Sequence, residues 1–465
     1  MANDNSKNTV SRIKTGSFER RLSLTKTGLF VGTRMATHVA ANVFTSKEKR
    51  VEKRKKMLSK QAEYLVDELG KLKGSVVKIG QVMALYGEHF LPVEVTEALH
   101  TLEDKTTALE WATIEKTLRF ELGEEKLDEL IIDQEPIGAA SLGQVHRAKR
   151  KSDGKEICLK IQYPGVADAV DSDLDAVAQL LRVAKFVSFN KDFDEWLEEV
   201  RVMMHREVDY TLEAETTSRF GKMLQGDDRF IVPEVLIEYS TPHVMATSYE
   251  PGTSVSSDKV LSLPQGRRNN LAKAALDLFL KELFIWKEIQ TDPNFGNYRI
   301  RLADDSHPED RMVLLDFGAV QKYPDSFIDP VCDMIYASYI RDLERVVTGG
   351  IKLNFMQASW PEKVLNEFGE VCMAVLEPLA NETLEIPAEA LNEQGEYCWN
   401  RSDLPTRIAK RAALSAINRY FKIPPKEFVF LNRKLVGVYT FISVLDAEFN
   451  GRDILAPYLK RFEHL

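Results

Sequence analysis

The periodicity of apolar residues changes once along this chain, near Asp133. Up to about residue 130 apolar side chains recur at helical spacing, which predicts an all-helical extension. The segments 135–150 and 156–163 are instead short and rich in β-branched residues, and a turn at 152–154 joins them. The pattern therefore predicts helices followed by a β-hairpin.

Further helices and strands follow the hairpin. Helical spacing covers 166–187, 192–221, 265–289 and everything after about 325, and short strands are predicted at 231–239, 243–250, 297–302 and 311–317. Strands, a helix pair, more strands and finally helices are typical of an α+β protein. We therefore predict a bilobal protein with its crevice between the lobes.

The turn of the first hairpin consists of small residues. The sequence IGAASLGQV contains Gly138, Ala139, Ala140 and Ser141. Small side chains let a backbone approach phosphate groups closely, so this turn is a candidate nucleotide-binding loop. An ordinary structural turn is the alternative.

A lysine lies in the middle of the apolar strand that follows. Lys160 in EICLKIQY must either extend its ammonium to solvent or meet an anion, because burying a lone charge is costly. If the strand lies beneath the hairpin turn, the α- and β-phosphates of a nucleotide are an obvious partner.

Two later segments carry candidate metal and base residues. In QTDPNFGN, Asp292 precedes Asn297 by five positions, the interval of the kinase catalytic loop. In VLLDFG, Asp316 ends an apolar strand, where it could hold a metal that bridges the phosphates. Either segment alone is compatible with a plain turn. The order of a lysine strand, D-x-x-x-x-N and then D-F-G is far more specific.

A kinase-type lysine also needs a carboxylate partner from a helix. The segment EVDYTLEAE offers Glu207 and Glu213 as the better candidates. Both can equally be solvated residues on a helix surface.

These motifs together resemble the UbiB family of atypical protein-kinase-like proteins, the AarF-domain proteins linked to ubiquinone biosynthesis. VVKIGQ, with Lys78 and Gln81, resembles the K-x-G-Q signature of that family, and EVDY, with Asp209, resembles its E-x-D element. EPIGAASLGQVHRA resembles its alanine-rich loop, and the two later segments resemble its metal-binding loops. The resemblance spans about residues 60–330.

The resemblance implies a nucleotide site with regulatory residues above it. It implies ATP or ADP with Mg²⁺ or Mn²⁺, and it makes Lys78, Gln81 and Asp209 regulatory, with Lys78 paired to Glu207 or Asp209. The family loop begins with alanine where this chain has Gly138, which puts nucleotide preference in doubt. We place the adenine against the segment after the predicted strand HVMATS: Thr247, Ser248, Tyr249 and Glu250.

Two features argue against phosphorylation of proteins. Only AVQKYP separates Gly318 from the helix predicted near Asp325, which is too short for an activation segment, and no A-P-E follows. Gln290 and Thr291 replace the usual His-Arg before Asp292.

Charge is distributed unevenly along the 465 residues. Residues 1–60 carry 15 Lys/Arg and 4 Asp/Glu, a net charge of +11, whereas residues 61–465 carry a net charge of −20. The basic segment could bind anionic lipid head groups, or it could simply be solvated. The acidic remainder argues against nucleic-acid binding. Four scattered cysteines and a polar start predict a cytoplasmic protein, with peripheral attachment to the inner membrane as an accompanying hypothesis.

We therefore predict an α+β, bilobal protein-kinase-like fold with an N-terminal all-helical extension. The predicted segments are a basic, partly flexible 1–60, a helical extension 61–130, an N-lobe 131–252 and a helical C-lobe 253–465. The predicted function is an ATPase or lipid-directed kinase that supports ubiquinone biosynthesis at the membrane surface, with a quinone precursor or lipid as partner. A small-molecule phosphotransferase and a non-catalytic nucleotide-binding scaffold are the alternatives.

Overall fold

A computed structural model describes most of the chain. It covers residues 47–72, 75–87, 90–101, 108–184, 186–187, 191–380, 386–414, 420 and 426–462. Most of the basic segment predicted at 1–60 lies outside the described residues. Within them, no helix has the length and apolar composition needed to span a bilayer.

The described residues form two compact units. The first unit contains the chain up to Ser218 together with Glu234–Tyr249, and the second contains Arg219–Pro233 together with everything from Glu250 onward. The division of the sequence into four segments stays a prediction.

Helices make up most of the first unit. They are α1 (Lys47–Leu72), α2 (Ser75–Tyr86), α3 (Val93–His100), α4 (Trp111–Asp128), α5 (Val166–Val183), α6 (Lys191–Glu207) and the first part of α7 (Tyr210–Met223). Helix α2 packs against α1, α3 and α5, which explains why Val76, Val77 and Ile79 are all buried. At its start, the buried hydroxyl of Ser75 donates a hydrogen bond to the carboxylate of Asp173 on α5.

An antiparallel sheet forms the rest of the first unit. Its strands are β1 (Leu130–Ile132), β2 (Gly138–Ala139), β3 (Gly143–Arg150), β4 (Glu156–Gln162) and β6 (Val244–Ser248), in the order β1-β3-β4-β6 with β2 paired to β3. Ile157, Leu159 and Ile161 are buried, as expected for alternate residues of β4 that face the core. Lys160 therefore lies on the opposite face, between Val145 of β3 and Met245 of β6.

The second unit combines helices with two small sheets. Its strands are β5 (Phe230–Ile231), β7 (Glu288–Gln290), β8 (Tyr298–Arg301), β9 (Arg311–Leu314) and β10 (Val320–Lys322), paired in the orders β5-β9-β8 and β10-β7. Its helices are α8 (Asp258–Leu261), α9 (Gln265–Lys281), α10 (Asp325–Tyr339), α11 (Leu343–Lys352), α12 (Glu362–Val375), α13 (Leu404–Leu414), α14 (Lys426–Val444) and α15 (Arg452–Leu459). Helices α14 and α15 pack against the central helix α9.

The prediction of a single helix across 192–221 is wrong, because this segment forms two helices. Helix α6 ends at Glu207 and α7 begins at Tyr210. The carboxylate of Asp209 accepts a hydrogen bond of 3.0 Å from the amide of Leu212, so it caps α7 and favours a break before it.

Two other predicted elements are shorter than expected. The helix predicted to 289 ends its α-helical part at Lys281 and closes with a π-helical turn, after which Lys287 adopts φ 55° and the chain enters β7. The strand predicted at 231–239 is limited to β5, since Pro233 has no amide hydrogen to donate to a sheet.

Candidate functional site

The small-residue turn is a tight β-hairpin turn in the first unit. The amide of Ala140 donates to the carbonyl of Gly143 at 2.8 Å, and Gly138, Ala139 and Ala140 are exposed while Ser141 is half-buried. A Cβ atom on Gly143 would lie only 2.5 Å from the carbonyl oxygen of Ile161, so glycine is needed there. The turn thus presents exposed backbone on a firmly packed base.

Lys160 forms an ion pair with Glu213, within the same unit. Its Nζ lies 2.6 Å and 2.8 Å from the two carboxylate oxygens, and 5.1 Å from the centre of the Tyr210 ring. The Lys160 side chain is 27% exposed, whereas that of Glu213 is 4% exposed. The buried carboxylate holds the ammonium in place while part of the lysine stays accessible. Of the two carboxylates that the sequence left open, Glu213 is the partner of Lys160.

Glu207 has a different partner, so its assignment as the carboxylate of Lys160 is wrong. Its carboxylate lies 2.9 Å from Nζ of Lys78 on α2. Gln81 lies three residues further along α2 and is half-buried. Asp209 caps α7, as described above. The K-x-G-Q helix is therefore joined to the end of α6 by an ion pair.

The segment placed against adenine is hydrogen-bonded at two of its amides. The backbone amide of Ser248 donates to the backbone carbonyl of Glu234 at 2.8 Å, and that of Tyr249 donates to the backbone carbonyl of Glu156 at 3.1 Å. Thr247 pairs with Cys158 of β4. Glu250 belongs to the second unit, where it accepts a hydrogen bond from Arg301 at 2.6 Å. An adenine edge recognised here would have to use other groups of the segment.

Asp292 and Asn297 lie together in the second unit. Nδ2 of Asn297 donates to Oδ2 of Asp292 at 3.0 Å and to its carbonyl at 3.3 Å. The amide nitrogen of Asn297 is only a donor, so Oδ1 is the atom of this residue that could coordinate a cation. Carboxylate and amide oxygens are the ligands that Mg²⁺ prefers, so these residue types fit a magnesium ion.

Asp316 is held close to the same loop. The amide of Leu315 donates to the carbonyl of Asn297 at 2.9 Å, and the amide of Gly318 donates to Oδ1 of Asp316 at 2.9 Å. The second unit therefore brings together the segments that carry Asp292, Asn297 and Asp316. Among the described residues, no group of three or more His, Cys, Asp or Glu side chains that could hold a metal ion is found.

Gln290 connects the two loops, a role that sequence analysis missed. Its Oε1 accepts from the amide of Asp292 at 2.6 Å, and its Nε2 donates to the carbonyl of Asp316 at 3.1 Å. In the sequence, Gln290 stands out only as a departure from the usual His-Arg. No pattern in the sequence relates Gln290 to the segment of Asp316, because this contact depends on how the two loops pack.

Helix α14 also contacts the loop that carries Asp292, a contact that was not predicted from the sequence. Nη2 of Arg433 lies 2.9 Å from Oδ1 of Asp292, and Nζ of Lys434 lies 2.9 Å from the Glu282 carboxylate. The signal was present, because two cations interrupt the apolar stretch FVFLNRKLVGVYTFISVL and each needs an anionic partner.

Comparison with known proteins identifies the family. The ABC1 atypical kinase-like domain matches residues 101–349, which is more than half of the chain. The chain belongs to this family. The match confirms the resemblance to the UbiB proteins and the prediction of a kinase-like protein that is not a typical protein kinase.

Relatives of this ABC1-family protein come from several eukaryotes. It is 30% identical to the atypical kinase COQ8B, mitochondrial, of Danio rerio over 84% of this chain and 60% of that protein. It is 26% identical to the atypical kinase COQ8, mitochondrial, of Saccharomyces cerevisiae over 82% of this chain and 73% of that protein. A probable serine/threonine-protein kinase, abkA, of Dictyostelium discoideum is 29% identical over 84% of this chain and 69% of that protein. The chain thus spans about two thirds of the length of these relatives.

A solved structure has the same fold. Rv3197 of Mycobacterium tuberculosis, determined as a complex with erythromycin, aligns with a TM-score of 0.59 over 89% of this chain and 98% of its own, at 23% identity. The likeness confirms the predicted α+β, kinase-like fold class.

Proposed function

We propose that this ABC1-family protein binds ATP with Mg²⁺ or Mn²⁺ and acts as an ATPase or lipid-directed kinase that supports ubiquinone biosynthesis. Lys160 would bind the α- and β-phosphates, Asn297 and Asp316 would hold the metal ion, and Asp292 would accept a proton or position water. The observation that carries the proposal is the Lys160–Glu213 pair. Its carboxylate is buried, while the side chain of the lysine is 27% exposed.

The arrangement after Asp316 favours a small acceptor or water over a peptide. Strand β10 pairs with β7 directly after the D-F-G turn, and α10 begins at Asp325. This leaves no length for an activation segment on which a peptide could dock. Transfer to water or to a small hydroxyl compound fits the chain better.

The quinone and membrane parts of the proposal rest on other support. The similarity to the mitochondrial COQ8 atypical kinases supports the quinone part. A basic run, KEKRVEKRKK, forms the first ten residues of α1 and could bind anionic lipid head groups. Peripheral attachment to a membrane surface is thus part of the proposal.

Nucleotide binding and turnover by purified Lys160→Ala test the phosphate assignment. We expect nucleotide affinity to fall at least about tenfold, or about 1.4 kcal/mol, because the phosphates lose their cationic partner. Lys149→Ala is the matched control, since Lys149 is an exposed lysine on β3 of the same sheet, and it should bind nucleotide as the unaltered protein does. Unchanged affinity in Lys160→Ala would refute the assigned site.

The acceptor is tested by turnover with and without vesicles that contain anionic phospholipid, and with and without a phenolic mimic of a quinone precursor. Stimulation by both additions supports the lipid-directed reading. A stoichiometric phosphorylated product of a soluble alcohol would instead favour a small-molecule phosphotransferase. Asp292→Asn separates both from a scaffold, because a scaffold would show unchanged nucleotide turnover and an unchanged cellular quinone level without this carboxylate.

A further inference from the structure

Helix α14 packs unusually closely on the loop that carries Asp292. A Cβ atom on Gly437 would lie 2.0 Å from the Cβ atom of Pro293, the residue that follows Asp292. Only a glycine allows the helix backbone to come this near. Arg433 lies four residues earlier, so it lies on the same face of the helix.

A buried lysine fixes the orientation of this helix. Lys434 and Glu282 form an ion pair in which the two side chains are 3% and 2% exposed. Although burial lowers the pKa of Lys434, the charge of Glu282 and hydrogen bonds to Glu282 and Tyr298 raise it above its ordinary value. This enclosed contact fixes which face of α14 packs inward, and it thereby keeps the neighbouring Arg433 beside the loop.

Both oxygens of the Asp292 carboxylate are engaged by side chains of this unit. Arg433 approaches Oδ1 at 2.9 Å, and Asn297 donates to Oδ2 at 3.0 Å. The guanidinium and the amide therefore fix the direction in which the carboxylate points. The guanidinium also offsets the negative charge of Asp292, which would otherwise repel a polyphosphate nearby.

We propose that Arg433 is the positioning residue of Asp292: it orients this carboxylate and compensates its charge during nucleotide turnover. The inference rests on the proposed function. A purely structural role is disfavoured by exposure, since the side chains of Arg433 and Asp292 are 25% and 30% exposed and such ion pairs add little stability. The anchoring of the helix is instead explained by Lys434 and Gly437.

Turnover and nucleotide affinity of Arg433→Ala and Arg433→Lys test this role. We expect Arg433→Ala to reduce kcat at least about tenfold while nucleotide affinity changes less than about threefold, because Arg433 contacts the Asp292 carboxylate. Arg433→Lys should recover part of kcat, since it keeps the charge but not the planar geometry. Added guanidinium ion should raise the turnover of Arg433→Ala and leave Asp292→Asn inactive.

Arg345→Ala is the matched control. Arg345 of α11 pairs with Asp333 at 2.5 Å in the same unit, and the two side chains are 26% and 24% exposed. It contacts neither loop through this pair and should keep full turnover. Thermal unfolding of each variant identifies any that fail to fold, and Arg433→Lys and Arg433→Gln then replace Arg433→Ala.

The outcomes separate this inference from the proposed function. If turnover depends on Lys160 but Arg433→Ala behaves like Arg345→Ala, the role of Arg433 is wrong and the proposed function stands. If guanidinium ion does not rescue Arg433→Ala and Arg433→Lys recovers nothing, the positioning role is also wrong. A protein without Lys160-dependent turnover would contradict the proposed function and the role of Arg433 together.

Discussion

Each unit contains a lysine–glutamate pair, and the two pairs differ in access to solvent. In the first unit Lys160 is 27% exposed and lies 2.6 Å from Glu213, which is 4% exposed. In the second unit Lys434 and Glu282 lie 2.9 Å apart and are 3% and 2% exposed. The two pairs contain the same chemical groups, at similar distances between nitrogen and oxygen.

The difference in access separates a candidate binding site from a buried anchor. A lysine that keeps part of its surface in solvent can exchange water for phosphate oxygens without disturbing the core. A pair that is completely enclosed can meet no ligand, and it instead fixes which surfaces pack together. Sequence alone gives both lysines the same description, a cation in an apolar segment.

Substitution of each of the two lysines by methionine should reveal the largest difference in stability between the two pairs. Lys434→Met leaves the buried Glu282 carboxylate without its cationic partner, and we expect the free energy of unfolding to fall by about 3–5 kcal/mol. Lys160→Met should cost about 1–2 kcal/mol, because water can reach Glu213 through the space of the lysine. Denaturant unfolding of both variants measures the difference.

A double variant provides the control for this prediction. Lys434→Met combined with Glu282→Leu removes both charges, and we expect most of the lost stability to return. If Lys434→Met and Lys160→Met lowered the free energy of unfolding equally, exposure would not distinguish the two pairs.

Two glycines of the small-residue turn have different surroundings, so we expect their substitution by alanine to change stability by different amounts. Gly143→Ala places a Cβ atom 2.5 Å from the Ile161 carbonyl oxygen, so we expect a loss of about 1–3 kcal/mol in the free energy of unfolding. Gly138→Ala meets no described atom within 4 Å and should change stability by less than about 0.5 kcal/mol. Thermal unfolding measures both, and a larger loss for Gly138→Ala would contradict the described hairpin.

A third lysine–glutamate pair has a carboxylate that is more exposed than those of the other two pairs. Lys78 and Glu207 are 22% and 28% exposed. We expect Lys78→Met to lower the free energy of unfolding by less than about 1 kcal/mol, since solvent screens both charges. Its effect should be smaller than that of Lys160→Met in the same denaturant titration. A loss as large as that of Lys434→Met would mean that this pair anchors α2.

The smallest expected effect is a pH dependence of the first unit. Burial lowers the pKa of His146 below its ordinary value of 6.5, and the ring donates from Nδ1 to the Asp133 carbonyl at 2.7 Å while Nε2 faces the Gln144 amide. Below pH 6.5 His146 is protonated in the unfolded chain but stays neutral in the folded chain. The free energy of unfolding therefore decreases as the pH falls from 6.5 toward the pKa of His146 in the folded chain. The slope is at most about 1.4 kcal/mol per pH unit.

Urea unfolding between pH 7.5 and 5.5 measures this effect. His146→Gln removes the titrating group and should flatten the dependence over that range. A dependence that stays the same in His146→Gln would assign it to other groups.

Much of the candidate site was predictable because its residues are close in sequence or fixed by strand and loop type. Lys160 was found from its place in an apolar strand, and Asp292 and Asn297 were found from their spacing. The break before α7 was also readable, since Asp209 is a favoured capping residue, but the continuous apolar spacing on either side concealed it. Arg433 was not connected to Asp292 because 141 positions separate them and no periodicity links a helix to a distant loop.

The sequence by itself determined the order of the elements, the residue types of the nucleotide and metal motifs, and the family to which the chain belongs. These follow from local periodicity and from spacing, which the chain carries in one dimension. Only the tertiary structure decided that Glu213 and not Glu207 pairs with Lys160, that Gln290 joins two loops, and that Arg433 meets Asp292. Each of these depends on which surfaces pack together, and packing is set by shape and burial across the whole unit.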